Sequence, residues 1–297
     1  MKIVNLLTDS SFETGFHLLG INPTINHRKV YKHLDYDGKA KYSKIPIWQM
    51  AQWWTPYNVL DAKFKIINNN YIYETPSRRI EVNPYNQGYL RMNLSASKEY
   101  LNGARLDSSK PWSHLLIEQD FQKHVALDGL EALRVQLTFN IEKVINQSPE
   151  TYNPNYHAAQ LVWYFVIHDA SYEGSKYGNF NEYFWFGIPI YDNRHDFIDE
   201  HHHVDQGGIG TTGRLIYSMS NKNYLNEKII FGKTYNIDIN VLPFILKAKT
   251  YAIQNGYLKH NEESKYEIGY MNFGWEIPGM FDVESYIQNM NVIATII

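Results

Sequence analysis

Gln160 to Asp169 reads QLVWYFVIHD, and Tyr183 to Asp192 reads YFWFGIPIYD. Both runs are short and dense in aromatic and β-branched residues, a composition that favours strand over helix. The link from Ala170 to Glu182 holds Gly174, Gly178, Ser171, Ser175, Asn179 and Asn181. A hairpin with a long loop is the simplest connection. Side chains alternate along a strand. Leu161, Trp163, Phe165 and Ile167 therefore share one side, and Gln160, Val162, Tyr164, Val166 and His168 share the other. In the second run Phe184, Phe186, Ile188 and Ile190 oppose Tyr183, Trp185, Gly187 and Tyr191. One side is core, and the opposite side carries rings with polar tips.

Outward from this hairpin, the same period of two recurs. Leu133, Val135, Leu137, Phe139 and Ile141 alternate with Arg134, Gln136, Thr138 and Asn140, the cleanest such signal in the chain. Further strands are expected at Met1 to Leu7, from Ala62, around Leu90 to Leu94, from Trp112 to Phe121, at Arg214 to Met219 and at Tyr235 to Val241. Two more close the chain, at Tyr266 to Phe273 and Phe281 to Ile293, joined by Gly274 to Gly279. Asp192 to Gly213 reads as a polar loop. Only Pro243 to Asn255 has helical spacing, with Pro near its start and Gly256 past its end. The expected fold is an all-β, jelly-roll β-sandwich of about ten to twelve strands with one short helix near residues 243–255. No Pro/Ser linker and no repeat divides residues 1–297, so a single domain is expected. Residues 20–60, with Trp48, Trp53 and Trp54, read as a loop-rich rim over one end.

The chain has 297 residues, and at that length about 75% of the unfolded surface can be buried. Its net charge of −3 argues against a general nucleic-acid or anionic-membrane binder. It has no cysteine, so disulfides, thiolate metal sites and Cys nucleophiles are excluded. The N-terminus lacks the pattern of a signal peptide, and no apolar run reaches the length of a membrane span, so a soluble protein is expected. The unusual feature is 24 Tyr, 14 Phe and 7 Trp. Tyr and Trp join a flat apolar face to a polar handle, which matches the apolar face and polar edge of a sugar ring.

The two chain ends carry a resemblance. Asn5-Leu6-Leu7-Thr8-Asp9-Ser10-Ser11-Phe12-Glu13-Thr14-Gly15 is similar to the opening of carbohydrate-binding modules with a galactose-binding-like jelly roll. Tyr286-Ile287-Gln288-Asn289-Met290-Asn291-Val292 resembles their last strand. The resemblance implies a jelly roll that binds carbohydrate and holds a structural calcium through Glu13. Gln288 and Asn289 stand where that family has two Asp, a departure at the metal position.

On the polar sides of the strands, Arg91, Arg134, Gln136, Tyr164, His168, Tyr183, Trp185 and Tyr191 would line one ligand face if their strands share a sheet. Planar hydrogen-bonding groups beside stacking rings suit a polyhydroxylated ligand. Carbohydrate is therefore the expected partner, bound through an aromatic and polar sheet face. A polysaccharide lyase or glycoside hydrolase on the same fold is the alternative, and an assembly protein a further one. A hydrolase needs two facing acids, and Glu118 with Asp120, or Asp282 with Glu284, project to one face in pairs. A lyase needs a Tyr or His base with a cation, roles open to Tyr164, His168, Arg91 and Arg134. His201, His203 and Asp205 resemble part of the metal motif of metallo-β-lactamase-fold hydrolases. Gln206 replaces its final His, and a parallel α/β order is absent, so a hydrated loop is the plainer reading.

Overall fold

The computed structural model describes residues 1–24, 28–41, 47–170, 182–206 and 209–297. Strands in chain order are β1 (Lys2–Asn5), β2 (Phe16–Leu19), β3 (Val30–Leu34), β4 (Gln49–Ala51), β5 (Lys63–Ile67), β6 (Asn70–Glu74), β7 (Arg78–Asn83) and β8 (Tyr89–Ser95). They continue with β9 (Ser113–Ala126), β10 (Leu130–Asn146), β11 (Gln160–Asp169), β12 (Tyr183–Asp192), β13 (His201–Val204), β14 (Leu215–Ser218), β15 (Thr234–Asn240), β16 (Tyr266–Ile277) and β17 (Phe281–Ile296). One helix, α1 (Leu242–Gln254), lies between β15 and β16.

The strands form two sheets. An eight-stranded sheet has the order β15-β10-β17-β8-β7-β6-β5, with β1 also on β17. A nine-stranded sheet has the order β13-β14-β12-β11-β16-β9-β4-β2-β3. The fold is an all-β jelly-roll sandwich with one helix among the described residues, as the periodicity implies. Its core lies between the sheets. The eight apolar residues of the central hairpin, Leu161, Trp163, Phe165, Ile167, Phe184, Phe186, Ile188 and Ile190, are all fully buried there. Each such side chain contributes about 1.5–3 kcal/mol by leaving water. Trp275 adds a polar tie across the core, its indole Nε1 donating to Ser285 Oγ at 2.8 Å. Helix α1 turns Leu242, Ile245, Ala248 and Ala252 onto the same core, and Gly256 follows it at φ +75°.

The structure refines one expectation and changes two. The stretch read as a loop-rich rim, residues 20–60, supplies the short strands β3 and β4, which with β2 make the edge of the nine-stranded sheet. These strands are three to five residues long, too short for a periodic signal. The polar loop after Asp192 holds β13, whose register puts His202 opposite Tyr217. The last link is also shorter than expected, because β16 runs on through Trp275 to Ile277. The hairpin's loop at 171–181 falls outside the described residues. No described helix is long and apolar enough to cross a membrane.

Candidate functional site

The outer face of the nine-stranded sheet is built in rungs, each set by strand register. In the central rung, Trp185 on β12 pairs with Val166 on β11, which pairs with Tyr270 on β16, which pairs with Asp120 on β9. The Trp185 ring lies 6.0–6.1 Å from the rings of Tyr164, Tyr183 and Tyr270, edge-on to each. Two cations cap this cluster. Arg28 stands 4.9 Å over Tyr270, and Arg214 stands 4.9 Å over Tyr183. Flat rings beside fixed cations can stack a sugar and hydrogen-bond its hydroxyls.

The neighbouring rung joins Gly187, Tyr164, Asn272, Glu118 and Gln49. Arg28 lies across Glu118 at 2.8 Å and Gln49 at 3.0 Å. Glu118 is 1% exposed, so this carboxylate is sealed beneath the guanidinium. Burial pushes its carboxyl above the ordinary value, and the Arg28 charge opposes that push. Asp120 is pushed up to about 7 by burial, with the Glu118 charge adding and Arg28 opposing.

A further rung joins Asp192, Gln160, Glu276 and His114. Burial, with the nearby Asp205 charge, pushes Glu276 up to about 7, although 22% of its side chain stays open. The Trp112 indole faces Glu276 Oε2 at 3.4 Å. His114 Nε2 lies 3.7 Å from the same oxygen. The contact is not an ion pair, because burial lowers His114 to about 3 and leaves it neutral. Asp205 follows β13 and accepts from the Thr212 backbone N–H and hydroxyl, each at 2.7 Å. Asp192 is committed elsewhere, bound by Arg194 and by Gln160 Nε2 at 2.9 Å. At the other end of the face, His168 pairs with Tyr183 and with Glu267.

This geometry brings together Tyr164, His168, Tyr183 and Trp185 from the expected ligand face. It separates the rest. Arg91 lies on β8, and Arg134 and Gln136 lie on β10, all in the other sheet. Equal alternation on strands of two sheets gives two outer faces, not one. The set named for a lyase is therefore not assembled. Tyr191 is corrected too. A register shift between Leu161 and Val162 places it opposite Leu161, where it packs edge-on to Trp275 at 6.2 Å and Phe231 at 6.0 Å. The space above Gly187 is filled. A Cβ there would meet Ser218 Oγ at 2.5 Å and Tyr164 at 2.9 Å. Glu13 is half exposed and 3.9 Å from Lys41, and its backbone N–H donates to Asp9 Oδ1 at 2.7 Å.

Sequence reasoning missed Glu276, which lay in the expected link, and Arg28, a lone cation in a region without period. Glu276 carried a signal all the same, because it sits two residues from Gly274 on the side opposite Trp275.

No protein-family model matches the chain, and no curated protein matches it. Among solved structures it is similar to a family 12 xyloglucanase from Bacillus licheniformis, at 9% identity and TM-score 0.44, covering 79% of this chain and 97% of that one. It is also similar to an endoglucanase from Rhodothermus marinus, at 9% identity and TM-score 0.41, covering 80% and 97%. A third is the xyloglucanase domain of a type three effector from Sinorhizobium fredii, at 14% identity and TM-score 0.36, covering 79% and 96%. Likenesses this low carry no argument about this chain.

Proposed function

We propose that the outer face of the nine-stranded sheet binds a carbohydrate chain and hydrolyses a glycosidic bond, with Glu276 as general acid. The observation that supports this most directly is the state of Glu276. A buried carboxyl against an indole, pushed up to about 7 yet partly open, keeps its proton near neutral pH. It can give that proton to the departing glycosidic oxygen as the carbon–oxygen bond breaks. Asp205 is the second acid, held by Thr212 and close enough that its charge raises Glu276. Its charge faces the positive charge that develops on the sugar ring; a water oxygen then bonds to the anomeric carbon and gives its proton to Glu276, which restores the acid. Trp185 and Tyr183, both partly exposed, supply the stacking surface along the chain. Glu118 is not assigned this role, because Arg28 seals it from a substrate.

Binding without cleavage is the second reading, favoured by the ring rung around Trp185, which needs no acid. One experiment separates the two. Purified protein is incubated with a glycan panel, and new reducing ends are counted while binding is followed by calorimetry. Cleavage that Glu276→Gln removes while binding persists supports the hydrolase. Binding without new reducing ends makes the protein a binding module. Absence of both rejects the carbohydrate reading.

A further inference from the structure

At the end of the same face, three adjacent strands present His124 from β9, Glu267 from β16 and His168 from β11. We propose that these three side chains form a binding site for a divalent transition metal of the zinc class. The inference is independent of the carbohydrate reading.

Their donor atoms all lie within 4.8 Å of one another. His124 Nδ1 hydrogen-bonds His168 Nε2 at 3.0 Å, a hydrogen that a metal ion would replace, and it lies 3.7 Å from a Glu267 carboxylate oxygen. Bonds of about 2.0–2.2 Å from nitrogen and oxygen to zinc place tetrahedral ligand atoms about 3.3 Å apart, which the two separations at His124 bracket. The tautomer of His168 is set by its surroundings. Its Nδ1 is 2.9 Å from the Asp169 carbonyl, which only accepts, so Nδ1 carries the hydrogen and Nε2 the lone pair. A metal-bound imidazole ordinarily donates its other nitrogen to a carbonyl in this way.

The backbone is shaped around the donors. Both pairings of β16 shift register at Gly269, where a bulge re-aims the neighbouring side chains. A Cβ at Gly269 would lie 2.5 Å from His168 Nε2 and 2.9 Å from His124 Nδ1. Any other residue would fill the space in which the two nitrogens converge. Two imidazoles and one carboxylate suit zinc or a similar ion better than calcium, which takes oxygen ligands.

The test uses the full chain, stripped with chelator, dialysed and titrated with zinc chloride by calorimetry, with metal content checked by mass spectrometry. The His201-His202-His203 run is a competing chelator, so His201→Gln/His203→Gln serves as the control. One zinc per chain is expected in the wild type and in that control. His124→Gln and Glu267→Gln, both partly exposed positions, should each weaken binding at least about tenfold with unchanged thermal melts in the absence of metal. Failure of the wild type to bind zinc overturns the proposal. So does zinc that survives in His124→Gln but is lost in His201→Gln/His203→Gln. Gly269→Ala gives a second reading, because it crowds the donors without removing one, and unchanged zinc affinity there would count against the site.

Discussion

The two outer faces of the sandwich are built from the same alternation and do opposite things with it. On the eight-stranded sheet outward charges are paired across strands. Arg134 meets Asp238 at 2.6 Å, and both are about half exposed. Lys143 meets Glu284 at 3.3 Å, and Arg91 forks onto Glu142. On the nine-stranded sheet three outward carboxyls are submerged. Glu118 is sealed, and Asp120 and Glu276 are both pushed up to about 7. The first face is a solvated ladder of charge pairs, and the second is a walled face that tunes its acids. The difference comes from what lies above each sheet. Arg28, Trp112, Asp205 and Arg214 all come from segments outside the strands and stand over the second face.

The sharpest way to break this comparison is to neutralise one acid on each face. Glu276→Gln should lower kcat for glycan hydrolysis by about 10²–10⁴-fold, the range for loss of a general acid. Glu284→Gln, on the ladder, should leave kcat unchanged. Equal effects at the two positions would remove the distinction between the faces as far as chemistry is concerned.

The next largest effect is on stability. Arg28→Ala leaves Glu118 buried without its countercharge and should cost about 3 kcal/mol in urea unfolding. Arg134→Ala removes a pair open to water and should cost under about 1 kcal/mol. A small loss at Arg28 would show that Glu118 takes up a proton at little cost and needs no partner.

The core was legible in the sequence because burial writes itself as period. Phe165 and Phe186 alternate with outward residues, and both are buried as expected. The outer face was legible only in part. Trp185 and Tyr164 were found because rings on an outward position are conspicuous. Arg134 and Gln136 were wrongly joined to them, since alternation identifies the outward side without saying which sheet a strand enters. That choice depends on pairing between strands far apart in sequence, such as β11 with β16. Tyr191 was lost to one bulge, because a single extra residue inverts every later side chain. Glu276 and Arg28 act through positions that only tertiary contact creates.

A third prediction concerns pH. Glu276 is held above its ordinary 4.5, at about 7, by burial. Such a group costs nothing while it is protonated in both folded and unfolded chains. Above pH 4.5 the unfolded chain releases the proton and the folded chain resists, so stability falls until about pH 7. The cost is on the order of 1–3 kcal/mol. Histidines act in the opposite direction. His168, lowered to about 4, gives stability that is present above 6.5 and lost as pH falls toward 4. Because both windows overlap, the wild-type curve alone does not isolate Glu276. The difference between wild type and Glu276→Gln does. That difference should change between pH 4.5 and 7 and be flat above about pH 7.5. A flat difference throughout would place Glu276 in ordinary solvent, like the acids of the ladder.

The smallest effect tests the ladder itself. Arg134 and Asp238 are joined at 2.6 Å, but their side chains are 50% and 46% exposed. At that exposure water weakens the attraction, and fixing two flexible side chains consumes much of what remains. A double-mutant cycle with Arg134→Ala and Asp238→Ala should give a coupling of about 0.2–1 kcal/mol at low salt. In 1 M salt, where screening acts within about 3 Å, the coupling should fall toward zero. Carbohydrate affinity should not change in either single variant, since Arg134 faces away from Trp185. A coupling above 2 kcal/mol that survives salt would mean that this face, too, shelters its charges from water. Loss of carbohydrate binding in Arg134→Ala would move the binding face to the eight-stranded sheet.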